Sequence, residues 1–240
     1  MVAVLAIAIR EWALMSNFNR IGQLTFASII LIAGVYVVFY QQALLNDLIL
    51  CAMPISVLFW LIVVPLFLRF QIHIKNAWLM SLIGLIALVP FGLAMMSLRD
   101  FNPFLLLGFS MVVWIADSAA YFAGKRFGKH KLAPLISPGK TWEGVLGAWL
   151  ATSIYALILI RVTEQSYWFV LLFWALLAMS IMGDLFESLI KRQAGVKDSG
   201  KLLPGHGGVL DRVDGLMPVL PFVVFIMMLP IYIRFISLHA

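Results

Sequence analysis

LILCAMPISVLFWLIVVPLFL, residues 48–68, carries no charged side chain over its whole length. About 20 apolar residues in a helix cross the roughly 30 Å of bilayer hydrocarbon, and an open strand cannot do so because its backbone groups go unsatisfied in lipid. Pro54 and Pro65 fall inside the run, where kinks are better tolerated than in soluble helices. Outward from it, similar runs lie near residues 21–40, 77–96, 103–123, 144–160, 167–186 and 216–236, after a partial one at 1–9. The expected fold is all-α: a polytopic integral membrane protein with about seven full transmembrane helices plus a partial N-terminal one.

Composition agrees. Of 240 residues, 63% are hydrophobic and 12% charged, and the mean hydropathy is +1.03, a balance that no soluble core needs. Little length remains for a soluble domain, so chemistry must sit in the helices or the loops between them. The opening VAVLAIAI meets a polar cluster after eight apolar residues, which fits neither a signal peptide nor a complete span; the chain reads as beginning partway through a helix. Cys51, the single cysteine, lies in the quoted run and excludes a disulfide framework or a cysteine-based metal site.

The formal charge of +6 reports orientation rather than nucleic-acid binding in such a chain. Sorted onto alternating sides, Arg10, Arg20, Arg69, Lys75, Lys125, Arg126, Lys129, Lys131, Lys140, Lys191, Arg192, Lys197, Lys201 and Arg212 share one face, and only Arg99, Arg161 and Arg234 take the other. The richer face is assigned to the cytoplasm. Two loops on that side, about 124–143 and 187–215, are long and mix Gly, Pro, Ser, His and carboxylates. Residues 1–100 therefore form an N-terminal transmembrane region, and 101–240 a C-terminal catalytic one that carries both cytoplasmic loops.

Asp117 and Asp184 each interrupt an apolar stretch, at a cost of about 2.5–3.5 kcal/mol at helix centre on insertion scales, and so require a cationic partner. Asp184, Glu187, Ser188 and Lys191 follow i, i+3, i+4, i+7 spacing and share one helical face. Asp211 and Asp214 stand three apart before the last span. Two such carboxylate pairs can converge on a hard cation, for which oxygen ligands suit Mg²⁺, whereas four scattered histidines argue against zinc. Between the pairs, Gly205, Gly207 and Gly208 flank His206 and allow a tight backbone with exposed N–H groups, as in anion-binding nests. Lys191, Arg192, Lys197, Lys201 and Arg212 run through the same stretch. Acids for a metal beside bases for phosphate point to phosphoryl transfer. A basic loop lying on anionic lipid would explain the bases but neither the acids nor the Gly-His-Gly-Gly turn.

The other loop contains Ser137-Pro138-Gly139-Lys140-Thr141, with an amine and two hydroxyls suited to phosphate oxygens. The spacing GxxxxGK[ST] of a nucleotide P-loop is absent.

The run SLIKRQAGVKDSGKLLPGHGGVLDRVD (188–214), with WIADSAAYFAGKRFGKHKLAPLISPGKTWEG (114–144) and GDLFESLIKR (183–192), resembles the phosphatidate cytidylyltransferase family, also called CDP-diacylglycerol synthases, of bacterial type. Residues 1–100 resemble it only in hydropathy and in the REW at 10–12. The resemblance implies transfer of the cytidylyl group of CTP to phosphatidate in a multi-pass bacterial cytoplasmic membrane protein, a homodimer among membrane lipids with its site facing the cytoplasm. Asp184 and Asp211 become the expected metal ligands for Mg²⁺, with room for a second cation. Lys191, Arg192, Lys197, Asp198, His206, Arg212 and Asp214 are the expected catalytic set; Ser137, Pro138, Lys140, Thr141, Ser188 and Asp117 are the expected substrate-binding set. His206 is expected to shape the loop more than to protonate the leaving group. No nucleic acid partner is expected. A secondary transporter of an anionic substrate, the alternative, would place repeat-related broken helices and polar groups near the midplane; here polarity gathers in two loops on one face. A CDP-alcohol phosphotransferase would continue DGxxAR, but LMPVLP follows Asp214-Gly215.

Overall fold

Each apolar run becomes a helix in the computed structural model, which describes residues 2–16, 18, 20–200 and 207–239. The order is α1 (Val2–Met15), α2 (Arg20–Tyr40), α3 (Gln42–Leu58), α4 (Val64–Phe70), α5 (Ala77–Phe101), α6 (Pro103–Phe127), a hairpin of β1 (Lys131–Ala133) and β2 (Ser137–Thr141), then α7 (Trp142–Thr163), α8 (Phe169–Gln193), α9 (Leu210–Val213) and α10 (Leu216–His239). Six segments of the described chain are long and apolar enough to cross a membrane: Ala43–Phe70, Ala77–Phe101, Pro103–Phe127, Trp142–Thr163, Phe169–Gln193 and Leu216–Arg234. The apolar part of α2, Ile21–Tyr36, is shorter, so six segments rather than about seven meet that description. The partial helix expected at 1–9 continues through Arg10 and Glu11 to Met15.

Local sequence explains the boundaries. Pro103 opens α6, where its missing N–H costs nothing, and the Asn102 side chain accepts from the Phe104 amide at 2.9 Å. Asn76 does the same for α5, accepting from Trp78 and Leu79. Within the quoted stretch, α3 passes into α4 through a π-helical turn at Phe59–Val63. Pro65 follows, and the wider turn absorbs the hydrogen bond that proline cannot donate.

Two corrections concern the cytoplasmic loops. α6 runs to Phe127 and α8 to Gln193, so residues 187–193 are helix and both loops are shorter than expected. The first loop folds as an antiparallel hairpin, with Lys131 opposite Thr141 and Ala133 opposite Ser137. The all-α class holds, with this hairpin the one strand pair among the described residues.

The core centres on Phe186, whose ring lies 5.5 Å from Trp60, 5.7 Å from Phe59, 6.1 Å from Phe67 and 6.4 Å from Trp12. This aromatic cluster fixes the rotation of α8 about its axis and turns Asp184, Ser188 and Lys191 away from it. On the same helix, a Cβ at Gly183 would overlap the carbonyl of Asp214 and the ring of Pro218. Glycine here lets the start of α10 lie directly against the acidic face of α8.

Candidate active site

Lys191 joins the two ends of the 188–214 stretch. Its Nζ donates to Glu187 Oε2 at 2.9 Å and to Asp211 Oδ1 at 2.6 Å. Asp211 Oδ2 accepts from the amides of Gly208 at 2.7 Å and Ser199 at 3.0 Å. Burial works to raise the Asp211 carboxyl, but hydrogen bonds from Lys191 and the Gly208 amide outweigh it and hold the group below the usual carboxylate range. Asp214 goes the other way: burial, and then the charges of Asp184 and Glu187, push it well above that range. Glu187 is fully buried, and its Oε1 has no hydrogen-bond partner among the described residues.

The hairpin closes on this face from the other side. Lys140 Nζ lies 2.6 Å from Asp184 Oδ2, and Ser188 Oγ donates weakly to Asp184 Oδ1 at 3.4 Å. Asp117, Tyr121, Ser137, Lys140, Thr141 and Asp184 line a cavity of about 360 Å³ between α6, α8 and the hairpin. Two spans and one loop thus bring together Asp117, Ser137, Lys140, Thr141 and Asp184. Thr141 has a second task, since its Oγ1 caps α7 by accepting from the Gly144 amide at 3.1 Å. Pro138 is exposed on β2 and does not line the cavity.

The remaining expected residues scatter. Arg192 is exposed at the end of α8. Lys197 and Asp198 line a different cavity, of about 680 Å³, with Arg10, Glu11 and Leu14 of α1. Arg212 is exposed on α9. His206, with Gly205 and Lys201, lies outside the described residues. Of the glycine turn expected as a nest, the Gly208 amide points at Asp211.

Two residues escaped the sequence reading. Glu143 anchors the hairpin by accepting from the amides of Lys129 at 3.1 Å and His130 at 3.2 Å, with His130 Nδ1 at 2.6 Å. Glu11, 3% exposed, accepts from the amides of Val209 at 3.1 Å and Leu210 at 2.7 Å and from Ser199 Oγ at 3.1 Å. The available signal was a carboxylate inside an apolar helix, which requires donors somewhere.

No three His, Cys, Asp or Glu side chains among the described residues form a ready-made metal centre. The donor set nevertheless fits a Mg²⁺ ion, which binds through one or two carboxylates and completes its shell with water and substrate phosphates. Asp214 is strained by the charges of Asp184 and Glu187, and Glu187 keeps a buried oxygen without a partner among the described residues. A cation bound there would relieve both, as would a proton shared between the two carboxyls.

The sequence model of the cytidylyltransferase family matches residues 1–229. A phosphatidate cytidylyltransferase of Haemophilus influenzae is 45% identical over 163 residues, 62% of this chain and 57% of that protein. One of Pseudomonas aeruginosa is 36% identical over 230 residues, 91% of this chain and 83% of the relative. One of Bacillus subtilis is 37% identical over 180 residues, 70% of this chain and 67% of the relative. The chain thus spans little more than half the length of the first relative and most of the second.

Proposed function

The chain belongs to the cytidylyltransferase family, and we propose from that premise that it transfers the cytidylyl group of CTP to phosphatidate, a step of phospholipid biosynthesis. A phosphate oxygen of phosphatidate attacks the α-phosphorus of CTP. The new P–O bond forms as the bond from that phosphorus to the bridging oxygen of the β-phosphate breaks, and pyrophosphate leaves with the electron pair. The nucleophile is already anionic near neutral pH, so no strong general base is required; what must be overcome is the repulsion between two polyanions.

The observation that carries this reading is the closure of the hairpin on α8, with Lys140 Nζ 2.6 Å from Asp184 at the wall of a cavity that Asp117, Ser137 and Thr141 also line. Ser137 and Lys140 offer a hydroxyl and an amine to the CTP phosphates. Lys191, fixed between Glu187 and Asp211, holds positive charge at the other end of the acidic face. Asp184 and Asp211 are the residues that would hold Mg²⁺, which when bound neutralises phosphate charge and the charge growing on departing pyrophosphate. The distribution of Lys and Arg supports a cytoplasmic position for both loops. Phosphatidate reaches such a site sideways from the bilayer.

The test is direct. Purified protein in detergent, incubated with labelled CTP, phosphatidate and Mg²⁺, is expected to yield a lipid-linked cytidine and pyrophosphate in equal amounts. The proposal fails if label never enters the lipid phase.

A further inference from the structure

We infer that Glu11 of α1 is a positioning residue for the transfer, one that sets Ser199 and the short segment 208–210 and, through them, the orientation of Asp211. The inference rests on the reaction proposed above but adds a residue from the far end of the chain. Glu11 lines the cavity on the α1 side of the segment and does not line the cavity that holds Asp184, so it acts through its neighbours.

Ser199 and residues 208–210 are held between two carboxylates. On one side Glu11 takes the Ser199 hydroxyl and the amides of Val209 and Leu210. On the other Asp211 takes the amides of Ser199 and Gly208. Ser199 therefore donates to both acids, by hydroxyl to Glu11 and by amide to Asp211. Loss of the Glu11 bonds frees the peptide units that aim Asp211 at Lys191.

The loop is shaped to admit this side chain. A Cβ at Gly200 would collide with the Glu11 carboxylate, and one at Gly208 would meet both that carboxylate and Ser199 Oγ. Its mount is rigid as well: the adjacent Trp12 donates from Nε1 to the Met80 carbonyl at 3.0 Å and stacks on Phe186 of α8. Trp12 thus fixes α1 to the helix that carries Asp184, and the preceding Glu11 grips Ser199 and the residues that lead into Asp211.

Purified Glu11→Gln and Glu11→Asp test the idea in detergent. Gln keeps the volume but sets an NH₂ group against donors. Its kcat is expected to fall roughly 10- to 100-fold, the range for a displaced but intact catalytic group. KM for CTP should stay within about threefold, because the hairpin is untouched. Amide exchange at Ser199 and 208–210 should quicken about tenfold or more while α6 and α7 keep their protection. Asp, which retains the charge, should recover part of kcat. The inference is overturned if Glu11→Gln keeps kcat within about twofold, if the loss appears in KM alone, or if exchange quickens equally in α6 and α7. Should Glu11→Gln fail to fold, Ser199→Ala removes one of the three bonds and is read the same way, with a loss of roughly 2- to 10-fold in kcat expected and an unchanged kcat overturning the inference. Absence of any lipid-linked cytidine from the wild type would instead overturn the proposed reaction, and the exchange measurement would still decide the role of Glu11.

Discussion

Replacing Lys191 by Ala removes the cation that two buried acids share. Its side chain is 12% exposed, Glu187 is 0% and Asp211 12%, so the trio falls outside the surface class of ion pairs, which contribute about 0–1 kcal/mol. Breaking a buried pair by deleting one partner costs about 3–5 kcal/mol, because the other charge is left uncompensated. Glu187 is the exposed consequence here: with Lys191 gone, Oε2 loses its hydrogen bond and Oε1 already lacks one among the described residues. For a chain of this size, 1 kcal/mol shifts Tm by about 2–4 °C, so Lys191→Ala is expected to lower Tm by roughly 6–20 °C. Unfolding followed by tryptophan fluorescence in detergent would read it. The double variant Lys191→Ala/Glu187→Gln removes the orphaned charge and should recover at least about half of the loss, though not the activity. A single-variant shift under about 2 °C, or no recovery in the double variant, would refute this account of the trio.

Asp211→Asn should lower CTP-dependent turnover by about 100-fold or more, on the scale of removing one preorganised electrostatic group, with the protein still folded in detergent; near wild-type turnover removes Asp211 from the metal role. Lys140→Ala should raise KM for CTP by roughly 10- to 100-fold, the range for hydrogen bonds to charged groups, as measured in initial-rate assays over a CTP series. Asp214, raised in the fold by burial and by the charges of Asp184 and Glu187, contributes stability while protonated and loses it as pH rises through its folded value. Asp214→Asn should therefore raise Tm in metal-free buffer at about pH 8 and give little gain at about pH 4; a gain that is equal at both would be inconsistent with that titration.

The membrane part of the fold was legible because an uncharged run such as 48–68 has few other uses. The partner of Asp184 was only half legible: a carboxylate in an apolar helix demands a cation, but Lys140 is one of 14 basic residues assigned to that face. The hairpin was not. Strands of three and five residues are too short to show alternation, and its main anchor, Glu143, sits 13 residues from His130. The reach of α8 to Gln193 was also hidden: Glu187, Lys191 and Arg192 look like the start of a loop until Lys191 is seen to neutralise two acids in place. Glycine-rich sequence at 205–208 suggested amides free for phosphate, whereas the Gly208 amide serves Asp211. Glu11 lay furthest from reach, because its donors are 188 to 199 residues away along the chain.

That separation has a consequence for biogenesis. Ser199 leaves the ribosome 188 residues after Glu11, roughly 10–40 s at ordinary elongation rates. Throughout that interval the acid of the first helix has none of the donors that will bury it, so it must be sheltered by lipid headgroups, water or the insertion machinery. Only when α8 has been inserted and Ser199, Val209 and Leu210 have emerged can Glu11 meet its donors. A nascent chain therefore carries its hairpin and Asp184 before Asp211 can be held in place, and the joining of Glu11 to its donors comes late in synthesis.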